Sequence, residues 1–225
     1  PRHGGGSPVH PPANPEIQMH DGAQQPPPQV TAAELTSMAD RTGRLLDGAR
    51  YLNLATVSPG GRPWVATLEY AWLGDPLRFL FGSAVGSRHS RDIASSPLVG
   101  GSLFLAGNGT GLDVAAVDGA QFTGTCSEVG AHDLDRYRPV FYEAVFPDER
   151  ERARWMLPKS SLREPAEHRL YLVEVERWWL VDTRTWEQDR VDRRMELPLA
   201  ELDARVVSTK STGRCYGRGT PSRGD

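Results

Sequence analysis

The 225-residue chain carries only two cysteines, Cys126 and Cys215. They lie too far apart for a disulfide framework or a cysteine zinc motif. No apolar run approaches the ~20 residues of a membrane span, and the amino end has no apolar signal segment. The net charge of −3 gives no electrostatic footprint for nucleic acid. A phosphate-loop lysine motif is missing. Gly107-Asn-Gly-Thr-Gly111 lacks the third glycine of a dinucleotide fingerprint, and strand-like sequence follows it, so it reads as a turn. No nucleophile-elbow spacing is visible, and His89, His132 and His168 form no i,i+4 metal pair. These absences argue against a membrane protein, a nucleic-acid binder, a metal site and a serine hydrolase. They point to a cytoplasmic protein.

Residues 1–30 are rich in Pro, Gly, Gln and His, with little apolar surface to offset the entropy of ordering. This stretch is predicted to be a disordered arm, followed by one domain over 31–207 and a flexible basic tail over 208–225. The domain opens on Thr31-Ala-Ala-Glu34, a capping-box spacing. Leu35, Met38, Leu45 and Leu46 give the following helix, or pair of helices, an apolar side, with Gly43 and Gly48 as plausible breaks.

The period then changes to that of strands. Tyr51–Val57, Trp64–Leu73 and Leu77–Phe81 are predicted as three strands, separated by the turn clusters Ser58–Pro63 and Gly74-Asp-Pro76. Leu98–Ala106 is a fourth strand, in which Gly100 and Gly101 mark a bulge or a close backbone approach. A fifth lies within Ala115–Val129, centred on Gln121–Thr125, and places Cys126 among buried residues. Leu134, Tyr137, Phe141, Ala144 and Val145 recur at helical spacing, and Pro139 predicts a kink or a division into two helices. Asp148–Leu157 is another short helix. His168–Thr183 is the last strand, where Trp178 and Trp179 must take opposite faces, one of them buried. The expected fold is mainly β with α additions, a barrel of antiparallel strands with short peripheral helices.

The richest segment is Phe79–Pro97. A strand ends, a glycine turn follows, and a helix opens on Ser87, Arg88 and His89. The first N–H groups of a helix are unpaired and carry the positive end of its dipole. With Ser87 as N-cap, and Arg88, Arg91 and His89 around it, the segment can cradle a phosphate. A solvated, capped helix start is the plain alternative.

Taken in order, these blocks resemble the pyridoxamine 5′-phosphate oxidase-like superfamily, the FMN-binding split β-barrels. Leu52–Trp64 resembles the family's first hairpin. Gly86-Ser87-Arg88-His89 resembles its Gly-Ser-Arg-Lys-like phosphate signature, Gln121–Thr125 its later glycine-containing strand and Glu176–Asp182 its closing strand. The resemblance covers roughly two-thirds of the chain, from Tyr51 to about Leu199. It implies a homodimer with FMN between two chains and a flavin-dependent oxidoreductase acting on an unidentified small molecule. It also implies the cofactor-binding residues. Val65, Ala66, Thr67 and Leu68 would run along the ribityl chain and ring. Ser83 and Ala84 would approach the phosphate, which Ser87, Arg88 and His89 would clamp. Gln121 would lie near the cofactor or the dimer contact. No catalytic residue is assigned, because the cofactor would carry the chemistry.

Two departures stand out. His89 replaces the family's common lysine, which makes charge there pH-dependent. Asp189-Arg-Val-Asp-Arg-Arg194 does not match the arginine- and histidine-containing substrate motif that closes the genuine pyridoxamine phosphate oxidases. The same barrel admits three rival readings: a deazaflavin-dependent reductase, a haem-binding barrel with His132 or His168 as axial ligand, and a non-enzymatic flavin binder. Deleting residues 1–30 is expected to leave the melting temperature and cofactor stoichiometry nearly unchanged. A large loss of either would assign the arm a structural role.

Overall fold

The computed structural model describes residues 31–105, 118–182 and 191–202. The predicted arm, the Gly107–Gly111 turn, Cys215 and the tail lie outside the described residues. Helix α1 (Ala32–Gly48) begins as expected. Thr31 accepts a hydrogen bond from the Glu34 N–H, and the Glu34 side chain accepts one from Thr31 N–H at 2.8 Å. Gly43 does not break it, because Met38, Thr42, Leu45 and Leu46 bury one continuous side.

Among the described residues eight strands follow: β1 (Tyr51–Val57), β2 (Pro63–Glu69), β3 (Ala71–Leu73), β4 (Arg78–Ala84), β5 (Leu98–Leu105), β6 (Asp118–Glu128), β7 (His168–Asp182) and β8 (Arg193–Leu197). Among them lie α2 (Arg88–Ser95), α3 (Leu134–Val145), α4 (Glu149–Trp155) and a 3-10 turn at Lys159–Leu162. Every paired strand is antiparallel, in the order β2-β1-β5-β6-β7-β4-β3, with β8 also on β7. The single predicted strand Trp64–Leu73 divides at Tyr70. Its first part pairs with β1 and its second with β4, the two ends of the sheet order. Covalent continuity at Tyr70 therefore closes the curled sheet. This is the split barrel that the sequence predicts.

The strand pleat sorts the residues. On β1, Leu52, Leu54 and Thr56 point inward, while Tyr51 and Val57 are exposed. Phe79, Phe81, Phe122, Tyr171 and Trp178 fill the barrel, and Trp179 is only half buried. Trp178 donates its indole N–H to Thr42 Oγ1 at 3.0 Å, and Tyr70 donates its hydroxyl to the Leu46 carbonyl at 3.1 Å. Both bonds tie α1 to the barrel. A second core lies between β3, β4 and α3, built on Leu80, Leu134, Tyr137, Phe141, Leu162 and Leu170.

At Pro139 and at Gly101 one of two expected alternatives is excluded, and β8 is a strand that was not expected. Pro139 does not divide the helix into two, and α3 runs through it. The buried Tyr137, Phe141 and Tyr142 hold the helix across the lost hydrogen bond. Strand β8 arises where the sequence reads as polar, because Arg194 and Glu196 form its outer side and Leu197 its buried end. Gly101 marks a close approach rather than a bulge. A Cβ there would stand 2.3 Å from the Phe122 ring and 2.6 Å from the Asn53 carbonyl oxygen.

The register shift falls instead at Gly124 on β6, where Thr123 faces Arg177 but Gly124 faces Val175. A Cβ on Gly124 would lie 2.1 Å from the Glu174 carbonyl oxygen. Backbone cannot yield as a flexible side chain does. Gly124→Ala is therefore expected to destabilise the fold by about 2 kcal/mol or more, read as a lowered urea midpoint. An unchanged midpoint would show that β6 and β7 can part without cost.

Candidate phosphate site at the start of helix α2

β4 ends at Ala84, and Ser87 N–H donates to the Ala84 carbonyl at 3.0 Å, which turns the chain into α2. Ser87 is the N-cap, and its hydroxyl accepts from the Ser90 N–H at 3.3 Å. The start of the helix thus presents its first N–H groups at the end of a barrel strand. Ser83, Ser87 and His89 converge there. His89 Nε2 lies 2.7 Å from Ser83 Oγ and 3.1 Å from Ser87 Oγ, and the two hydroxyls are 3.1 Å apart. Gly86 in the turn is exposed, and a Cβ built on it meets nothing within 4 Å.

Arg88 reaches across to the start of β2. Its guanidinium lies 4.8 Å from the Trp64 ring centroid and donates to the Pro63 carbonyl at 3.4 Å. It also lies 3.9 Å from Asp92. Asp92 is buried, and Thr56 donates its hydroxyl to it at 2.9 Å. This buried bond pins α2 to β1 and fixes where the cradle points. Trp64 as the platform for Arg88, and the Thr56–Asp92 bond, escaped the sequence reading. Residue types alone do not reveal partners drawn from separate strands.

The predicted site residues divide by position. Ser83, Ala84, Ser87, Arg88 and His89 lie together at the end of β4 and the start of α2. Val65, Ala66, Thr67 and Leu68 lie on β2, whose first residues adjoin Arg88. Val65 and Thr67 are exposed, whereas Ala66 and Leu68 are partly buried. Gln121 is exposed on β6, separated from β4 by β7, and accepts a hydrogen bond from Arg194 Nε at 2.8 Å. Within one chain the fold does not bring Gln121 to the cradle. His132 is exposed and lies 3.0 Å from Asp133, and His168 is exposed at the start of β7. Cys126 is buried, and burial pushes its thiol pKa up to about 12, which leaves it inert. Among the described residues no group of three or more His, Cys, Asp or Glu is placed to hold a metal ion, and no helix is long and apolar enough to cross a membrane.

The donors of this cradle fit a phosphate monoester such as the end of FMN. They comprise a helix N-terminus, two hydroxyls and one ring nitrogen, and the Arg88 guanidinium lies beside them against Trp64 and Pro63 of β2. The profile of the pyridoxamine 5′-phosphate oxidase family matches residues 38–182. The chain belongs to that family. No curated relative matches. Among solved structures, the fold is similar to that of a haem-binding protein from Mycobacterium smegmatis, with 16% identity and a TM-score of 0.55. That likeness covers 74% of this chain and 60% of the other, so this chain spans less than two thirds of that neighbour. A protein of unknown function from Agrobacterium tumefaciens is 19% identical with a TM-score of 0.50, over 69% of this chain and 59% of the other. A FAD-binding protein from Mesorhizobium loti is 18% identical with a TM-score of 0.45, over 66% and 91%.

Burial disfavours the charged His89 ring and holds its pKa below the ordinary 6.5, with Asp92 pulling the other way. The unfolded chain therefore takes up this proton before the native chain does. The stability that neutral His89 contributes is complete above about pH 6.5 and is lost as pH falls through its lowered native value. Wild type is expected to lose urea resistance between about pH 7 and pH 5 more steeply than His89→Gln. Parallel pH curves for the two proteins would show that the ring ionises freely in the fold.

Proposed function

We propose that this protein is a flavin-dependent oxidoreductase that holds FMN by its phosphate at the start of α2 and acts on a small molecule. The observation that carries the reading is the convergence of Ser83, Ser87 and His89 at the turn into α2, with Arg88 the first residue of that helix. When bound, the flavin supplies hydride chemistry. The chain supplies position. Arg88 offers a permanent charge already oriented by Trp64 and Asp92. Ser83 and Ser87 exchange their mutual hydrogen bonds for bonds to phosphate oxygens. His89 takes up a proton more readily beside a dianion, because the anion opposes the cost of burying the charged ring.

We further infer a homodimer. Tyr51, Val57, Val65, Leu98 and Phe104 expose 46, 47, 58, 66 and 62% of their surface. By strand register, all five fall on the outer side of the β2-β1-β5 sheet. An apolar sheet side of this kind suits a two-fold contact, in which each patch meets its own copy. Such a contact offers the route by which Gln121 of a second chain would approach the cofactor.

Arg88→Ala is expected to weaken FMN binding by about 1.5–3 kcal/mol, the range for a hydrogen bond to a charged group. Calorimetric titration of apo-protein reads it. An unchanged dissociation constant in the folded variant would remove Arg88 from the site. Absorbance of the reconstituted protein separates the rivals: oxidised-flavin bands support FMN, while a lone deazaflavin band or a Soret band selects another cofactor. Sedimentation with and without FMN tests the shared site, which a monomer binding one FMN per chain would overturn.

A further inference from the structure

A groove of about 480 Å3 lies between β4, β7, α3 and α4 and borders the cradle at Ser83 and Ala84. Strand alternation makes its floor. Gly82 and Ala84 face it from β4, and their register partners Leu170 and His168 face it from β7. The absence of a side chain at Gly82 lets the Phe141 ring settle against the strand. A Cβ there would already stand 3.3 Å from that ring. The walls are aromatic. Tyr142 and Phe146 stack with centroids 6.2 Å apart, and Trp155 contributes from α4 while remaining 52% exposed.

The charges at its margin are already engaged. Arg169 is the only permanent cation among the lining residues. It donates Nε to Glu128 at 3.2 Å and Nη1 to the Ala166 and His168 carbonyls, each at 2.7 Å. Glu69, the only acid of the lining, accepts from Arg50 at 3.2 and 2.9 Å. Neither Glu128 nor Arg50 belongs to the groove. A phosphate or carboxylate placed here would meet a guanidinium already paired with the Glu128 carboxylate, and would lose its hydration with little compensation. A flat ring system would find aromatic walls and room for roughly two fused rings.

We propose that this groove binds a flat, uncharged aromatic molecule, and that this is the class of small molecule on which the site acts. The second half rests on the flavin reading above; the binding itself does not. The departure of Asp189–Arg194 from the family's substrate motif agrees with a substrate that carries no phosphate.

The test is calorimetric titration of the full chain with 2-naphthol, in excess inorganic phosphate to fill the cradle. Saturable binding at one site per chain is expected. Trp155→Ala should weaken it about fivefold through the lost ring contact. Val145→Lys, which sets a charged chain against the lining, should weaken it at least as much. Arg44→Ala, an exposed change on α1, should leave it unaltered. Naphthalene-2-carboxylate should bind wild type about tenfold more weakly than 2-naphthol, because the one cation of the lining is already paired with Glu128. Absence of saturable 2-naphthol binding overturns the proposal. So does affinity unchanged in both Trp155→Ala and Val145→Lys, or a carboxylate that binds the more tightly. FMN titration of the same proteins is read separately. Naphthol binding without FMN binding upholds the groove and removes the flavin reading, whereas FMN binding without naphthol binding does the reverse.

Discussion

Closure of the sheet through Tyr70 is the constraint on which the other features rest. The seven-strand path has β2 and β3 as its two ends. The two are consecutive pieces of one chain segment. Tyr70 stays buried at the junction and is held by the Leu46 carbonyl, so α1 secures the place where the strand changes partners. Closure brings β2 beside β4. That in turn sets Trp64 opposite Arg88 and leaves Glu69 at the margin of the aromatic groove.

The start of α2 shows how burial and charge are balanced around this frame. Asp92 is buried, but it has Thr56 as donor and Arg88 as a nearby cation. A carboxylate removed from water without such partners would be costly. His89 sits beside it in a different state, its charged form disfavoured by burial. The cradle thus joins one permanent charge on an exposed aromatic platform to one conditional charge under cover. A lysine in place of His89 would carry its charge to far higher pH. The substitution therefore changes when the site is cationic as well as how strongly.

Much of the candidate site was legible because it is local. Ser83, Ala84, Ser87, Arg88 and His89 fall within seven consecutive residues, and helix capping and dipole arguments apply to such a stretch without knowledge of the fold. Trp64, Thr56 and Asp92 were not assigned there, since their partnership depends on a hairpin folding back on a helix. The groove was less legible still. Its residues come from six separate elements, and Phe141, Tyr142, Trp155 and Leu170 read in sequence as ordinary apolar positions.

The sequence by itself determined the alternation of β1, the cap of α1, the turn into α2 and the opposite faces of Trp178 and Trp179. Each follows from spacing of a few residues, the range over which backbone geometry dictates side-chain direction. Tertiary structure decided the division at Tyr70, the passage of α3 through Pro139 and the formation of β8. In these places local preference was weak or adverse. Pairing with β4, burial of Tyr137 and Phe141, and pairing with β7 outweighed it. Tertiary structure also decided that Arg169 and Glu69 meet partners outside the groove. That outcome depends on which distant strands lie side by side, and no local spacing encodes it.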